Sequence, residues 1–313
     1  MSTAPPRPDA IRREVELAPL TYCKIGGVAR AFCEAESEAD LEAAVAYRAE
    51  RELADDEVFV LGGGANVLID DRREYGLVVT LSEHFNAIEP ADDGRTARIE
   101  AGIYTPRLVR EAGKRGWKGF QFLAGVPGTL GGAVVMNAGV RELSTWDLVE
   151  AVEGVTWEGE RRRVTRDRID PGYRRSNLPP ELIVTVVECR TEPGDADEIH
   201  AAARELASSR RETQPLRYPS WGSTFANPSG ASSTGTTAGE LIDRAGLKGY
   251  RVGDARISEK HANFIVNLGE ATAADALACI RKAHETVEEM FGIRLRPEVR
   301  LIGFPPEDLE FLR

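Results

Sequence analysis

The first third of the chain carries two short apolar runs, residues 58–61 and Leu77–Leu81, both rich in β-branched side chains and both of the length of a buried strand. The first stops abruptly at Gly62, Gly63 and Gly64. Before them, Leu41, Ala44 and Val45 fall at helical spacing behind Ser37, and Asp40, three residues after that serine, completes a capping-box signature. A helix followed by strands predicts an α+β opening unit. Farther along, residues 99–101 predict another strand, Thr105 an N-cap with Pro106 in the first helical position, and Gly116 a stop after Lys114 and Arg115. Segments 151–157 and 182–187 then alternate with charged turns, the pattern of a mixed sheet, and a helix over about 197–211 closes this half. Pro215, Pro219, Pro228 and the polar tract 229–237 predict a long irregular segment over 214–239, with a domain junction near its start. In the last portion residues 263–267 read as a strand, and Thr272 with Asp275 caps a helix whose Leu277, Ile280, Val287 and Phe291 form a core-facing stripe.

One stretch breaks this alternation. Residues 119–140 contain no charged side chain, a length that alone would suit a membrane span. Gly119, Gly125, Gly128, Gly131, Gly132 and Gly139, with Pro127, Gln121 and Asn137, would leave such a helix broken in lipid, so the stretch reads as a buried glycine-rich loop region. A chain of 313 residues sets an expectation of about two domains, and 42% hydrophobic with 29% charged residues exclude a disordered or fibrous protein. Its 40 Lys and Arg against 51 Asp and Glu, a formal charge of −11, argue against nucleic acid or an anionic membrane as partner. An anionic ligand must therefore be met by local groups. Cys23, Cys33, Cys189 and Cys279 are scattered without a CxxC pair, and His84, His200, His261 and His284 form no HExxH, so neither a metal nor a disulfide framework is expected. The opening MSTAPPRPDA lacks the apolar core of a signal peptide and reads as a frayed tail, which makes the expected location cytoplasmic.

Neither GxGxxG after a strand nor GxxxxGK[ST] occurs, which disfavours the Rossmann and P-loop nucleotide folds. Two glycine clusters nevertheless follow apolar segments: Gly62-Gly63-Gly64-Ala65-Asn66 and Gly125-Val126-Pro127-Gly128-Thr129-Leu130-Gly131-Gly132. One glycine triplet is most often a tight turn or a close backbone contact. Two such clusters offer successive N–H groups of the kind that bind pyrophosphate. On these residues alone the chain is an anion-binding α+β protein.

Seven ordered blocks then carry a resemblance. They are Thr21-Tyr22-Cys23-Lys24-Ile25-Gly26-Gly27, LGGGANVLIDD, GVPGTLGGAVVMNAG, Tyr173-Arg174-Arg175-Ser176, Gly222-Ser223-Thr224-Phe225, AGELIDRAGLKGYRVGDARISEKHANFIVN and Pro297-Glu298-Val299-Arg300, and they span most of the chain. In this order they resemble the UDP-N-acetylenolpyruvoylglucosamine reductase (UDP-N-acetylmuramate dehydrogenase) family in its shorter type, flavoenzymes of peptidoglycan precursor synthesis. The resemblance implies an α+β fold: a vanillyl-alcohol-oxidase/PCMH-type FAD-binding domain of two α+β subdomains, 1–84 and 85–213, followed by an α+β substrate-binding domain, 214–313. It also implies that Gly62, Gly63, Gly64, Ala65, Asn66, Gly125, Val126, Pro127, Gly128, Thr129, Gly131 and Gly132 cradle the FAD pyrophosphate and ribityl atoms through main-chain donors, with Asn137 nearby.

The implied reaction reduces the enolpyruvyl ether of UDP-N-acetylglucosamine to the lactyl ether of UDP-N-acetylmuramate, with NADPH first reducing FAD. Hydride addition to the terminal alkene carbon leaves an enolate-like charge on the neighbouring carbon and its carboxylate. By resemblance, Arg174 offers its planar guanidinium to that carboxylate, and Glu298, held protonated in a desolvated site, hydrogen-bonds the same charge. Ser223 delivers the proton to carbon. Tyr173, His261, Asn263 and Arg300 rank behind these as substrate-binding residues. Without the resemblance each has a plainer reading: Arg174 and Arg175 as a solvated pair, Ser223 as a turn serine, Glu298 as a surface strand residue and His261 as a satisfied core histidine.

Three departures from the family pattern stand out. Val140, Arg141 and Glu142 occupy the place of a common Tyr-Gly pair, and Ala65 replaces the usual serine of GGGSN. Ala226 replaces a common basic residue and is followed by the extra polar stretch 229–237, so contacts to the substrate phosphates are expected to be redistributed. The expected partners are UDP-N-acetylglucosamine enolpyruvate and NADPH, without nucleic acid or membrane, and the chain is expected to be a monomer. Two other readings stand beside this one: an FAD-linked oxidase or dehydrogenase of the same fold acting on another small molecule, and a non-catalytic nucleotide-sugar-binding protein.

Overall fold

The computed structural model describes residues 7, 9–140, 143–228 and 236–312. The readings on most of the opening tail, on Arg141 and Glu142 and on most of the polar stretch 229–237 lie outside the described residues. The chain forms two compact units. One gathers Met1–Val15, Arg30–Gly63 and Tyr75–Arg210, the other Glu16–Ala29, Gly64–Glu74 and Arg211–Arg313. The second unit thus includes two excursions of the N-terminal half, a non-contiguity that linear boundaries at 84 and 213 do not express.

In the first unit one sheet runs in the order Ile11–Glu16, Val28–Ala35, Leu77–Leu81, Val58–Val60. Leu77, Val78 and Val79 are wholly buried because their strand is central and parallel to both neighbours, with Phe32 opposite Val78 and Val58 opposite Leu77. A strand buried on both faces is a continuous apolar run, the feature that marked it in the sequence. Helix Glu38–Glu50 packs Leu41 and Ala44 into the same core, and its Ser37 N-cap accepts the Asp40 N–H at 3.3 Å. The predicted box does not close on Ser37. The Asp40 carboxylate instead accepts the N–H groups of Glu36 and Arg7 and the Arg7 guanidinium. Burial pushes that carboxyl upward, but these bonds outweigh burial and hold it below its usual value.

The other sheet of this unit runs Arg161–Thr165, Val149–Thr156, Leu182–Arg190, Thr96–Glu100, Ile88–Pro90 and is antiparallel throughout rather than mixed. Ala97, Ile99, Val152 and Val187 face a core that also holds Phe120, Phe122 and Trp146. On the opposite face Arg98 pairs with Glu153 and Arg163 with Glu188, each at 2.6 Å, as period-two alternation requires. The stretch 119–140 is not wholly loop. It contains a 3-10 turn, Phe120–Gly125, and a short helix, Leu130–Val135, whose N-cap Thr129 accepts the Gly132 N–H. Thr105 is likewise not a cap. It is the first helical residue of Thr105–Lys114, and its hydroxyl donates to the carbonyls of Val126 and Gly128. Among the described residues no helix is long and apolar enough to cross a membrane.

The second unit combines helices Ala238–Arg244 and Ala273–Phe291 with an antiparallel sheet of Arg251–Val252, Ala255–Ile257 and Ile265–Asn267. A parallel pair joins Arg300–Ile302 to Val67–Ile69. Thr272 and Asp275 form the expected reciprocal capping box, and Leu277, Ile280 and Val287 enter a core around Trp221, Phe225 and Leu241. The strand expected over 263–267 begins only at Ile265, because Asn263 bonds to a different segment.

Candidate active site

In the first unit the two glycine clusters meet backbone to backbone. A Cβ on Gly63 would lie 2.6 Å from Gly128 Cα, and one on Gly62 would lie 3.2 Å from Thr129 Oγ1. Gly128 sits at φ +100°, a conformation that side chains rarely tolerate. The second cluster is fastened beneath: Thr105 donates its N–H to the Gly128 carbonyl (3.0 Å), Leu130 to Ile103 (2.9 Å) and Gly131 to Ala101 (2.8 Å). The N–H groups of Val126 and Gly132 are also used internally, and Pro127 has none to offer. Those of Gly62, Gly63, Gly128 and Thr129 have no acceptor among the described residues. Unsatisfied donors on a backbone too tight for a Cβ suit a pyrophosphate, and the fit to FAD rests on this. Gly125 abuts Val140, whose side chain would stand 2.9 Å from an added Cβ.

Buried Asn137, at φ +42°, accepts the Trp146 N–H at 3.1 Å and donates Nδ2 to the Gly172 carbonyl at 2.9 Å. That carbonyl belongs to a turn closed by reciprocal backbone bonds between Gly172 and Arg175. Arg174, inside the turn, is held at φ +57°, and its Nη2 donates to the Gly139 carbonyl at 3.0 Å while the guanidinium carbon lies 4.7 Å from the exposed Tyr173 ring. A left-handed non-glycine residue costs free energy and persists where its surroundings over-determine it. Arg174 is half-buried and Arg175 exposed, so the two arginines are not an equivalent solvated pair.

In the second unit four motif segments lie on hydrogen-bonded backbone. Gly64, at φ +65°, would place a Cβ 2.2 Å from the Leu20 carbonyl oxygen, and the N–H groups of Gly64, Ala65 and Asn66 have no acceptor among the described residues. Asn66 donates Nδ2 to the Glu298 carbonyl and accepts the Arg300 N–H, both at 3.1 Å. The Glu298 N–H donates to the Thr224 carbonyl at 2.8 Å, and the Thr224 N–H to the Asn263 carbonyl at 2.7 Å. Ser223 stands half-buried between Thr224 and Gly222, the latter at φ +89° with open space where a Cβ would be. The structure therefore brings the backbones of Ser223, Glu298, Asn66 and Asn263 together, with Arg300 exposed at the start of the strand that follows Glu298. His261 packs edge-on against Phe264 at 4.8 Å and accepts the Asn263 N–H on Nδ1. Burial, with the Lys248 charge adding to it, lowers its pKa, so the imidazole is neutral at pH 7.

Sequence reasoning missed the Thr105 tether under the second glycine cluster, and it missed Asn227, whose Oδ1 accepts the Ala238 N–H at the start of a helix. The amides of Asn66, Asn137 and Asn263, expected among the ligand-binding residues, each donate Nδ2 to a backbone carbonyl. No group of three metal-ligating side chains occurs among the described residues. All four cysteines are buried, and burial pushes the thiols of Cys33, Cys189 and Cys279 up to about 12 and that of Cys23 upward. Raised thiols stay protonated at neutral pH and are poor nucleophiles. Native protein at pH 8 is accordingly expected to react with a disulfide reagent such as DTNB only on unfolding, and one fast-reacting native thiol would contradict this burial.

Residues 214–302 match the family described as UDP-N-acetylenolpyruvoylglucosamine reductase, C-terminal domain, and residues 29–165 match that described as FAD binding domain. A UDP-N-acetylenolpyruvoylglucosamine reductase of Anaeromyxobacter dehalogenans is 44% identical over 96% of this chain and 88% of its own. That of Synechococcus elongatus is 38% identical over 94% of this chain and 95% of its own. The crystal structure of the Thermus caldophilus reductase superposes with a TM-score of 0.77 at 35% identity, covering 93% of this chain and 99% of that one.

Proposed function

Because the chain belongs to the UDP-N-acetylenolpyruvoylglucosamine reductase family, we propose that it reduces UDP-N-acetylglucosamine enolpyruvate to UDP-N-acetylmuramate with NADPH, for peptidoglycan precursors. It is an FAD-dependent oxidoreductase. When bound, FAD would supply the two-electron redox chemistry that links the nicotinamide to the alkene. The chain's own residues do the rest. The N–H groups of Gly62, Gly63, Gly128 and Thr129, without an acceptor among the described residues, would hold the FAD pyrophosphate. Arg174, whose Nη2 donates to the Gly139 carbonyl, offers its guanidinium to the substrate carboxylate. Glu298 in its acid form donates to the charge that accumulates there, and Ser223 gives its Oγ proton to the carbon next to the carboxylate, to be reprotonated from solvent.

The observation that best supports this reading is the hydrogen-bonded run linking Asn66, Glu298, Thr224 and Asn263, which sets Ser223 and Glu298 on adjoining backbone. Tyr173, His261, Asn263 and Arg300 complete the proposal as residues of the substrate pocket. We extend it to a monomer acting in the cytoplasm in support of cell-wall biogenesis, cell shape and division. It also includes three functional parts, two FAD-binding subdomains over 1–84 and 85–213 and a substrate-binding part over 214–313. Anaerobic mixing tests the reading: NADPH should bleach the flavin band, and UDP-N-acetylglucosamine enolpyruvate should restore it rapidly. Bleaching without restoration would point to another flavin-linked substrate, and a protein that takes up no FAD would leave only the ligand-binding alternative.

A further inference from the structure

Asn263 is 4% exposed and makes three bonds to the segment that carries Ser223. Its backbone carbonyl accepts the Thr224 N–H at 2.7 Å, its Oδ1 accepts the Phe225 N–H at 2.9 Å, and its Nδ2 donates to the Phe225 carbonyl at 2.8 Å. A side-chain amide that pairs with both groups of one peptide has a single orientation, because a flip would oppose donor to donor and acceptor to acceptor. On the far side of the same segment the Thr224 carbonyl accepts the N–H groups of Glu298 at 2.8 Å and Val299 at 3.4 Å, and Ala226 donates to the Arg296 carbonyl at 2.9 Å. Ser223 is therefore flanked by two unlike neighbours. Gly222 before it sits at φ +89° in open space and restrains little, whereas Thr224 after it is bonded on both sides.

We propose that Asn263 is the positioning residue of the proton-transfer step: its amide clamp on Phe225 fixes the backbone that aims the Ser223 hydroxyl, and through the Thr224 carbonyl it holds Glu298 in register with it. Both hydrogen bonds of the Asn263 amide go to the Phe225 peptide, so the proposed role is exerted through the segment that carries Ser223. The inference rests on Ser223 being the proton donor. Loss of aim by about 1 Å in such a step costs about 100-fold, whereas a half-reaction that does not use the hydroxyl is spared.

The test follows both half-reactions of the FAD-loaded full chain by rapid-mixing absorbance. Asn263→Ala is expected to slow reoxidation by UDP-N-acetylglucosamine enolpyruvate about 10- to 100-fold while reduction by NADPH stays within about twofold of the parent. In Asn263→Asp the carboxylate opposes the Phe225 carbonyl, and protonation restores a donor, so its reoxidation rate relative to the parent should climb as pH falls. Adding Ser223→Ala to Asn263→Ala should cost little beyond Ser223→Ala alone, since a residue acting through Ser223 has nothing left to position. Unimpaired reoxidation in Ser223→Ala would overturn the proton-donor reading and this inference with it. A slow Ser223→Ala enzyme combined with an Asn263→Ala enzyme impaired equally in both half-reactions, or with fully multiplying effects in the pair, would overturn the positioning role alone. Should Asn263→Ala fail to fold, the aspartate variant decides: a flat pH ratio overturns the role and a rising one upholds it.

Discussion

Replacing Ser223 by alanine is expected to slow reoxidation of the reduced enzyme by its enolpyruvyl substrate by about 100- to 10,000-fold, with reduction by NADPH left nearly intact. The range is what a positioned general acid contributes. The asymmetry follows from the chemistry, because only the second half-reaction creates a carbanion-like carbon that needs a proton. The substitution removes one oxygen from a half-buried position followed by backbone that is bonded on both sides, so the fold has little reason to respond. Rapid-mixing absorbance with each substrate separately reads both rates. Equal losses in the two would remove Ser223 from the proton-donor role.

The second large effect is expected at Gly63. An alanine there would bring its Cβ to 2.6 Å from Gly128 Cα and 3.1 Å from the Gly128 carbonyl carbon, separations that no side-chain rotation relieves. Neither partner can yield alone. The second cluster is fastened by bonds to Ile103, Ala101 and Thr105, and the first leaves the sheet directly after the bond between Leu61 and Val79. Gly63→Ala should purify colourless, with FAD affinity weakened by at least about 100-fold in a fluorescence titration, a loss of roughly 2.7 kcal/mol or more. Gly94→Ala is the control. Nothing stands within 4 Å of its added Cβ, and only the strain of φ +66° is introduced, about 1 kcal/mol. Wild-type FAD affinity in Gly63→Ala would refute the cradle.

What the sequence made legible was local. Leu77–Leu81 announced itself because Leu77, Val78 and Val79, buried on both faces, form an uninterrupted apolar run, and Ala273–Phe291 because cap and stripe lie within one helix. Thr105 was misread for the same reason: threonine before proline is a helix-start signal, while its hydroxyl finds carbonyls 21 and 23 residues away. Asp40 likewise bonds to Arg7, 33 residues distant, where the local rule looks only three residues back. The glycine clusters could be identified, but not that one presses on the other. The asparagines were harder still, since an amide bonded to backbone leaves no periodic trace, and Asn66 meets Glu298 across 232 positions.

That last separation has a consequence for how the molecule is made. Strand Val67–Ile69 leaves the ribosome long before Arg300–Ile302, its parallel partner. At ordinary elongation speeds of about 5–20 residues per second the wait is roughly 10–50 s. Until residue 211 emerges, the apolar Leu68 and Ile69 belong to a unit whose main hydrophobic segments are still untranslated. The nascent chain thus spends most of its synthesis with an unpaired strand edge open to wrong partners, and late contacts of such long loop closure nucleate slowly. Ser223 and Glu298 can therefore come to lie on adjoining backbone only after the segment around Glu298 has emerged: until then the proposed proton donor has no fixed address.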